Sequence, residues 1–272
     1  MTDTESTKVV SAHDITYLGL LHRVLHQGED SSDRTGVGTR SIFGEQLRFD
    51  LAEGFPLLTT KRVWWRGLRE ELFWMLRGQT DLHDLPEDVR KLWSPWAKAG
   101  MLGPIYGEQW RHARGVDQIQ EIERMIRTEP HSRRIILSSW RPEAIHLMAL
   151  PPCHVLAQFR VLGGRLHLQL YQRSCDYFLG GPFNLAAYSL LLSMMAKVTG
   201  YPPGTFIWTF GDVHLYHNHL AQARRQLMAP ATAAPRVELE PAASVIDYAE
   251  GRAAVELHAY YPHETIPAPV AV

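Results

Sequence analysis

The stretch RLHLQLYQRSCDYFLGGPFNLAAYSLLLSMMAKV, residues 165–198, contains the clearest strand pattern and the longest helix pattern of the chain. Leucines alternate with polar residues over residues 166–171, which is typical of a half-buried strand. Residues 185–198 are apolar with few interruptions, which predicts a long central helix, and Pro202 with Pro203 fixes its end. The segment predicts a domain in which a sheet packs against a buried helix.

Weaker patterns on both sides of this segment predict further elements. Apolar residues recur at helical spacing from Ile15 onward, over residues 64–77 with Gly78 as the stop, and over residues 116–127. Strand-like patterns and one exposed connection rich in Ala and Pro complete the chain. The strands are expected at residues 40–49, 134–140, 206–210 and 253–259, and the connection at residues 229–241.

The length of 272 residues is enough for one sizeable core. We expect residues 15–272 to form a single domain that follows a disordered lead, residues 1–14. Hydrophobic residues make up 45% of the chain and charged residues 21%, which argues against general disorder. The formal net charge of −1 provides no global basic field for DNA or a membrane surface. Any bound anion must therefore be held by a local cluster of arginines.

Two cysteines, Cys153 and Cys175, are too few for a disulfide framework. The polar first residues contain no apolar signal core, and no run of about eighteen apolar residues predicts a membrane-spanning helix. We therefore expect a protein of the reducing cytoplasm.

Cys153 stands in the sequence LPPCH, residues 150–154, where two prolines stiffen the backbone before it. A lone cysteine is most often a small buried hydrophobe. A nucleophilic role requires a cation that stabilises the thiolate, and Arg173 at the end of the predicted strand is a candidate. His154 is disfavoured as the base, because adjacent side chains of an extended segment point apart.

Arginines elsewhere in the chain are candidates for an anion site, namely Arg34 in a turn-rich segment and the pair Arg133 and Arg134. Guanidinium groups match phosphate oxygens with paired hydrogen bonds. Arginine pairs are also common on solvated surfaces. Because Arg134 adjoins the apolar residues 135–137, we expect at least one of the pair to be held beside the core.

Two segments carry polar side chains suited to a nucleotide. Asn184 follows the sequence GGPF, where it could cap the next helix or read a pyrimidine edge with its carboxamide. Residues 211–219, GDVHLYHNH, contain three histidines, but no cysteine or glutamate pair completes a tetrahedral set, so we expect no metal. Hydrogen bonding to a sugar hydroxyl by His214 and Tyr216 is the alternative.

Aromatic and acidic side chains add a second group of candidates. Trp93 and Trp96 could stack on a flat heterocycle, although buried core tryptophans are the commoner case. Glu71 lies beside the apolar stripe of the helix predicted at residues 64–77, so we expect it to be partly buried. Partial burial raises the pKa of a carboxyl group.

Taken in order, these segments resemble the folate-dependent thymidylate synthase family, which includes pyrimidine nucleotide hydroxymethylases, along nearly the whole chain. The resemblance implies an α+β fold, with one domain built on a mixed, bent sheet packed by helices, and a homodimer formed through the sheet faces. The most specific matches are FPLLTTK (55–61), LGPIYG (102–107), SRR (132–134), LPPCH (150–154), YQRSCD (171–176), GGPFN (180–184) and GDVHLYHNH (211–219).

The resemblance implies a methyltransferase that converts dUMP to dTMP with 5,10-methylenetetrahydrofolate as co-substrate and releases dihydrofolate. Cys153 would add to C6 of uracil and make C5 nucleophilic, and Arg173 would favour its thiolate. Glu71 would be the general acid. Tyr106 would relay the proton removed from C5.

Binding roles also follow from the resemblance. The phosphate would be held by Arg34, Arg173 and Ser174 of one subunit and by Arg133 and Arg134 donated across the dimer interface. Asn184 would fix the uracil edge, and His214 with Tyr216 the 3'-hydroxyl group. The folate would be bound by Asp176, through its pterin, and by Trp93, Trp96, Gly180, Phe183 and Val272, the last of which would close over the site.

The chain departs from the family pattern mainly toward the folate side. Trp64 and Trp65 occupy a stretch that is usually more polar, Ser94 and Pro95 stand where acidic residues are usual, and Pro267 replaces a common lysine. These residues bear on how the folate's glutamate tail is held.

Three other functions compete with methylation of dUMP. In a hydroxymethylase of the same fold, water captures the exocyclic methylene intermediate, and Asn184 favours uracil because relatives acting on dCMP tend to carry aspartate there. Two further classes are a Cys-His hydrolase that uses Cys153 and a noncatalytic nucleotide-binding protein that uses the arginines.

Overall fold

The computed structural model of the protein describes residues 10–271. Residues 1–9 of the predicted lead and the predicted lid residue Val272 lie outside this range. The helices are α1 (Ala12–Gln27), α2 (Trp65–Leu76), α3 (Glu87–Arg90), α4 (Tyr106–His112), α5 (Gln118–Thr128), α6 (Gly180–Thr199), α7 (Leu220–Leu227) and α8 (Val245–Ala249). The strands are β1 (Glu29–Ser31), β2 (Thr39–Phe43), β3 (Gln46–Asp50), β4 (Ile136–Ser138), β5 (His154–Leu162), β6 (Arg165–Asp176), β7 (Pro203–Tyr216), β8 (Arg236–Leu239) and β9 (Val255–His258).

A mixed, bent sheet forms the centre of the molecule. Within the described residues its order is β1-β2-β7-β6-β5-β4, and β3 also pairs with β7. Strands β6 and β7 are parallel, while the other pairs are antiparallel. Strands β8 and β9 form a separate two-stranded ribbon. The α+β class with helices packed on a mixed sheet is confirmed.

Helix α6 packs on β6 and β7 and is the centre of the core. Twelve of its 20 residues are buried, as expected of a helix that is apolar on nearly every side. It ends at Gly200, which has the left-handed φ of 82° that favours glycine. Even so, no helix within residues 10–271 has both the length and the apolar character needed to cross a membrane.

The start of α6 excludes one of the two roles expected for Asn184, that of a helix cap. The helix begins at Gly180, five residues before the predicted start at Leu185. Asn184 therefore lies inside the helix and is not its N-cap.

Helix α1 begins at Ala12, where Ser11 caps it by accepting a hydrogen bond from the backbone of Asp14. The Asp14 carboxylate is fully buried and accepts hydrogen bonds from the backbone nitrogens of Thr59 and Thr60. Residues 12–14 are thus part of the folded domain rather than of a disordered lead.

Most of the other predicted elements occur, with changed bounds. The strand expected at residues 40–49 is divided at Gly44, whose φ is 85°, into β2 and β3, and both pair with β7. The strand expected at residues 206–210 is the middle of the 14-residue β7. The exposed connection at residues 229–241 contains β8. Helices α2 and α5 and strands β4 and β9 lie where patterns predicted them.

Candidate active site

Cys153 lies immediately before β5 and beside the last residues of β6. The backbone nitrogen of Arg173 donates to the carbonyl oxygen of Cys153 at 2.9 Å, which joins the two segments. The Arg173 guanidinium donates to the carbonyl oxygens of Pro151 (2.8 Å) and Pro152 (3.0 Å), and its Nη2 lies 3.8 Å from Cys153 Sγ. The two prolines thus orient the arginine toward the half-buried sulfur.

Two opposing effects act on the pKa of Cys153. Burial raises the pKa of the thiol, and the positive charge of Arg173 lowers it. Arg173 therefore favours the thiolate, as expected, but in the single chain burial outweighs it and the pKa lies above its ordinary value.

Tyr106 begins α4 and is buried against the segment that holds Cys153. Its hydroxyl oxygen accepts hydrogen bonds from the backbone nitrogens of Cys153 (2.8 Å) and His154 (3.4 Å). Burial raises the pKa of Tyr106 well above its ordinary value. The residue therefore stays a neutral phenol whose proton remains free to donate.

His154 is buried, and burial lowers its pKa to about 4. Its ring packs on Tyr106 at a centroid distance of 5.1 Å. Within residues 10–271, no hydrogen bond joins the imidazole to the sulfur of Cys153. This arrangement agrees with the expectation that His154 is not the base of a Cys-His pair.

Asn184 is held by a chain of amide contacts that sequence reasoning missed. Trp208 Nε1 donates to Gln172 Oε1 at 2.9 Å, and Gln172 Nε2 donates to Asn184 Oδ1 at 3.0 Å. An indole nitrogen can only donate, so the bond fixes which end of each amide faces its neighbour. Gln172 could have been found from the sequence, because it continues the buried phase of the β6 leucines, residues 166, 168 and 170.

Glu71 joins the aromatic group around Tyr106. Its Oε1 accepts a hydrogen bond from Trp93 Nε1 at 2.6 Å, and the Trp93 ring lies 6.1 Å from the rings of both Tyr106 and Trp96. The partial burial expected of Glu71 is observed. Burial raises its pKa to about 7, although the bond from Trp93 acts in the opposite direction. A carboxyl group with this pKa exchanges protons near neutral pH.

The parallel strands β6 and β7 end side by side, with Asp176 opposite His214. Asp176 accepts hydrogen bonds from the backbone nitrogens of Phe178 and Leu179 at 3.1 Å. Burial acts to raise the pKa of Asp176, but His219 and the backbone bonds outweigh it, so the pKa is lowered. The carboxylate is therefore ionised and available as an acceptor.

The histidine segment lies at the same end of the sheet. His214 shares a 2.6 Å contact between its Nδ1 and Asp212, and its ring lies 5.2 Å from that of Tyr216. The two side chains are neighbours, as a strand spacing predicts. Within residues 10–271, no group of three or more His, Cys, Asp or Glu side chains is arranged to hold a metal ion.

The arginines are divided between two places. Arg34 is exposed in the turn before β2 and lies near Tyr216, while Ser174 is half-buried on β6. Arg133 and Arg134 are both exposed, so the expectation that one is held beside the core is wrong. Ile135 occupies the buried position instead. Among residues 10–271 of the single chain, no hydrogen bond joins the side chain of Arg133 or Arg134 to another candidate residue.

A cleft of about 480 Å³ opens between the first turns of α2 and α6, and Phe183 is one of its walls. Trp64 forms another wall and lies against Gly67, where an added Cβ would be 2.3 Å from the indole ring. Lys61 is buried at the cleft, and burial lowers its pKa to about 7. Gly180 lies at the start of α6, where a Cβ would make only ordinary contacts.

Comparison with known families gives this geometry a context. A model of the thymidylate synthase family matches residues 15–272, nearly the whole chain. The match places the chain among methyltransferases of dTMP biosynthesis. It belongs to the thymidylate synthase family.

Proposed function

We propose that this chain methylates dUMP to dTMP with 5,10-methylenetetrahydrofolate and releases dihydrofolate. The observation that carries the proposal is the cluster at the adjoining ends of β5 and β6. There the sulfur of a half-buried cysteine lies 3.8 Å from the Nη2 of an arginine, and the backbone nitrogen of the same cysteine donates a hydrogen bond to a buried tyrosine hydroxyl. Such a cysteine is suited to covalent catalysis.

In the proposed reaction, Cys153 Sγ forms a bond to C6 of uracil, and the electron pair of the C5–C6 double bond moves toward C4 and its oxygen. C5 becomes nucleophilic and takes the methylene carbon from the folate. Arg173 supports the attacking thiolate. Loss of the C5 proton and cleavage of the bond between the methylene carbon and the folate nitrogen leave an exocyclic methylene and tetrahydrofolate. Exclusion of water favours hydride transfer from tetrahydrofolate to this carbon, which converts the folate to dihydrofolate. Elimination of the Cys153 thiolate restores the C5–C6 double bond and gives dTMP.

Proton transfers are proposed for Glu71 and Tyr106. Glu71, with a pKa of about 7, is half protonated at neutral pH and can donate toward O4 of the base and the departing folate nitrogen. The Tyr106 hydroxyl already bonds the backbone of Cys153 and so lies beside the reacting ring. It is proposed to relay the proton removed from C5.

Recognition of uracil is proposed for Asn184. Gln172 occupies one lone pair of its Oδ1, its Nδ2 can donate to O4, and the other lone pair can accept from N3–H. Cytosine presents a donor and an acceptor in the opposite order. The orientation therefore supports dUMP over dCMP as the substrate.

The folate is proposed to lie between Asp176 and the cleft at α2 and α6. Asp176 is ionised and suited to accept hydrogen bonds from a pterin. The cleft is lined by Leu179, whose backbone nitrogen donates to Asp176, and it has aromatic walls at Trp64 and Phe183 with Lys61 beside them. A flat ring followed by an anionic tail matches this lining.

A homodimer is proposed from the uncovered face of the sheet. Ile136, Leu156 and Leu162 are 43%, 37% and 64% exposed on β4 and β5, and exposed apolar patches of this kind mark interaction sites. Arg133 and Arg134 precede β4 and are exposed at the same edge. A second copy packed on this face would receive both arginines near its phosphate site.

The test of this function is product identification with dUMP tritiated at C5. We expect tritium release only when methylenetetrahydrofolate is present, and dTMP by mass. Hydroxymethyl-dUMP as the main product would replace the proposal with the hydroxymethylase alternative. Absence of folate-dependent release would end both.

A further inference from the structure

His219 is a fully buried histidine that lies between Asp176 and the C-terminal tail, residues 263–271. Its Nε2 is 2.7 Å from the carbonyl oxygen of Pro269. Since a carbonyl oxygen can only accept, Nε2 carries a proton and donates it. The other ring nitrogen, Nδ1, faces Asp176 Oδ1 at 3.7 Å.

The tail has few other attachments. His263 donates its backbone nitrogen to Thr59, and Glu264 accepts from Arg62. Ile266 is buried, while Val270 is 56% exposed. Among residues 10–271, the bond from His219 is the one hydrogen bond that reaches the tail after Glu264. The contact from His219 therefore fixes Pro269 in addition to the packing of Ile266 and Ala268 against the core.

The same histidine is connected to the cleft wall through Phe178 and Lys61. Its ring lies 5.7 Å from the ring of Phe178, whose face is covered by Lys61 Nζ at 3.6 Å. A displacement of His219 would therefore change its contact with Asp176 and its hydrogen bond to the tail together.

We infer that His219 is a positioning residue that holds the C-terminal tail beside Asp176 and over the folate side of the site. We call this contact the latch. The inference rests on the proposed function for its kinetic consequence, although the latch itself is a structural claim. A latched tail excludes water from the exocyclic methylene. Hydride transfer then gives dTMP and dihydrofolate, whereas water addition gives hydroxymethyl-dUMP and leaves tetrahydrofolate.

The first test compares His219→Phe, which keeps an aromatic ring without a donor, with His219→Gln, whose amide can still reach the Pro269 carbonyl. For His219→Phe we expect the KM for methylenetetrahydrofolate to rise about tenfold, the scale of one lost hydrogen bond. The KM for dUMP should stay unchanged, and hydroxymethyl-dUMP should appear among the products. His219→Gln should restore most of the native behaviour.

The second test needs no turnover and measures backbone order parameters by NMR relaxation. In His219→Phe, the amides of Ala268 and Val270 should have lower order parameters than in the native chain, while those of β9 stay unchanged. In His219→Gln all should match the native chain. If the native chain makes no dTMP, the proposed function fails, but this result still decides the latch.

Native order parameters in the tail together with a native folate KM in His219→Phe would overturn the inference. If that variant binds no dUMP, and so does not report on the folded enzyme, His219→Asn takes its place, because its shorter amide stops short of the carbonyl. The same two outcomes then apply.

Discussion

The indole nitrogen of Trp208 can only donate a hydrogen bond, and this one property orients two amides in sequence. Gln172 must turn its oxygen to Trp208, and its nitrogen then meets the oxygen of Asn184. Under the proposed function, Nδ2 of Asn184 then donates to the base, and base selection depends on the indole of Trp208.

Replacing this donor should change the preferred base. For Asn184→Asp we expect the ratio of kcat/KM for dCMP to that for dUMP to rise at least about tenfold, because a carboxylate accepts from the cytosine amino group and repels O4. Asn218→Asp is the matched control, since Asn218 is exposed. An unchanged ratio in Asn184→Asp would remove Asn184 from base reading.

The raised pKa of Glu71 predicts a pH dependence. As the pH rises through about 7, the protonated fraction falls, so kcat should fall for a step that needs this acid. Glu71→Gln should lower kcat by about a hundredfold and lack this limb. Measurements of kcat from about pH 5.5 to 8.5, roughly 1.5 units on each side of neutrality, would show this fall. The same limb persisting in Glu71→Gln would assign it to another group.

The free energy of unfolding should also depend on pH through Glu71. The folded-state pKa of Glu71 lies above its ordinary 4.5, so the folded state keeps a proton that the unfolded state has lost. Its contribution to the free energy of unfolding is therefore full below about pH 4.5 and is lost as the pH rises through about 7.

Strand β6 and helix α6 show what a sequence pattern can establish. The alternation over residues 166–171 predicted the strand and which of its side chains are buried, and the long apolar run predicted the helix. Strand β5 and helix α4 were not predicted, since their patterns are short or irregular and packing decides them. Cys153 and Arg173, which are proposed as nucleophile and cation, could be picked out because they border the clear elements, whereas no local pattern encodes the contact of His219 with the tail.

Helix α2 offers a test of the cleft wall. A Cβ at Gly67 would lie 2.3 Å from the Trp64 ring, so Gly67→Ala should push the indole into the cleft and raise the KM for methylenetetrahydrofolate. Gly19→Ala on α1 is the control, because nothing lies within 4 Å of that position. The control should keep the native KM and gain roughly 0.5–1 kcal/mol of stability in urea unfolding. A native folate KM in Gly67→Ala would show that Trp64 does not shape the folate site.

The whole molecule is needed to explain Arg133 and Arg134. Both are exposed in a single chain and lie at the edge of an uncovered sheet face. In the proposed homodimer they enter the site of a second copy, a role that family resemblance suggests and local sequence does not.

Mixing two inactive variants tests this sharing of sites. Cys153→Ser and a double Arg133→Ala, Arg134→Ala variant should each be impaired, but their heterodimer contains one site with a native cysteine and native partner arginines. After unfolding and refolding together, we expect about a quarter of the native rate. Cys153→Ser mixed with Glu71→Gln is the control and should show no recovery, since both defects act within one subunit. Equal results for the two mixtures would contradict the shared site.

Release of tritium from C5-labelled dUMP, measured for the native chain and for Cys153→Ser, tests the covalent step most directly. The native chain should release tritium when methylenetetrahydrofolate is present, and Cys153→Ser should release none while still binding dUMP. Tritium release at the native rate by Cys153→Ser would show that the sulfur forms no bond to the pyrimidine ring.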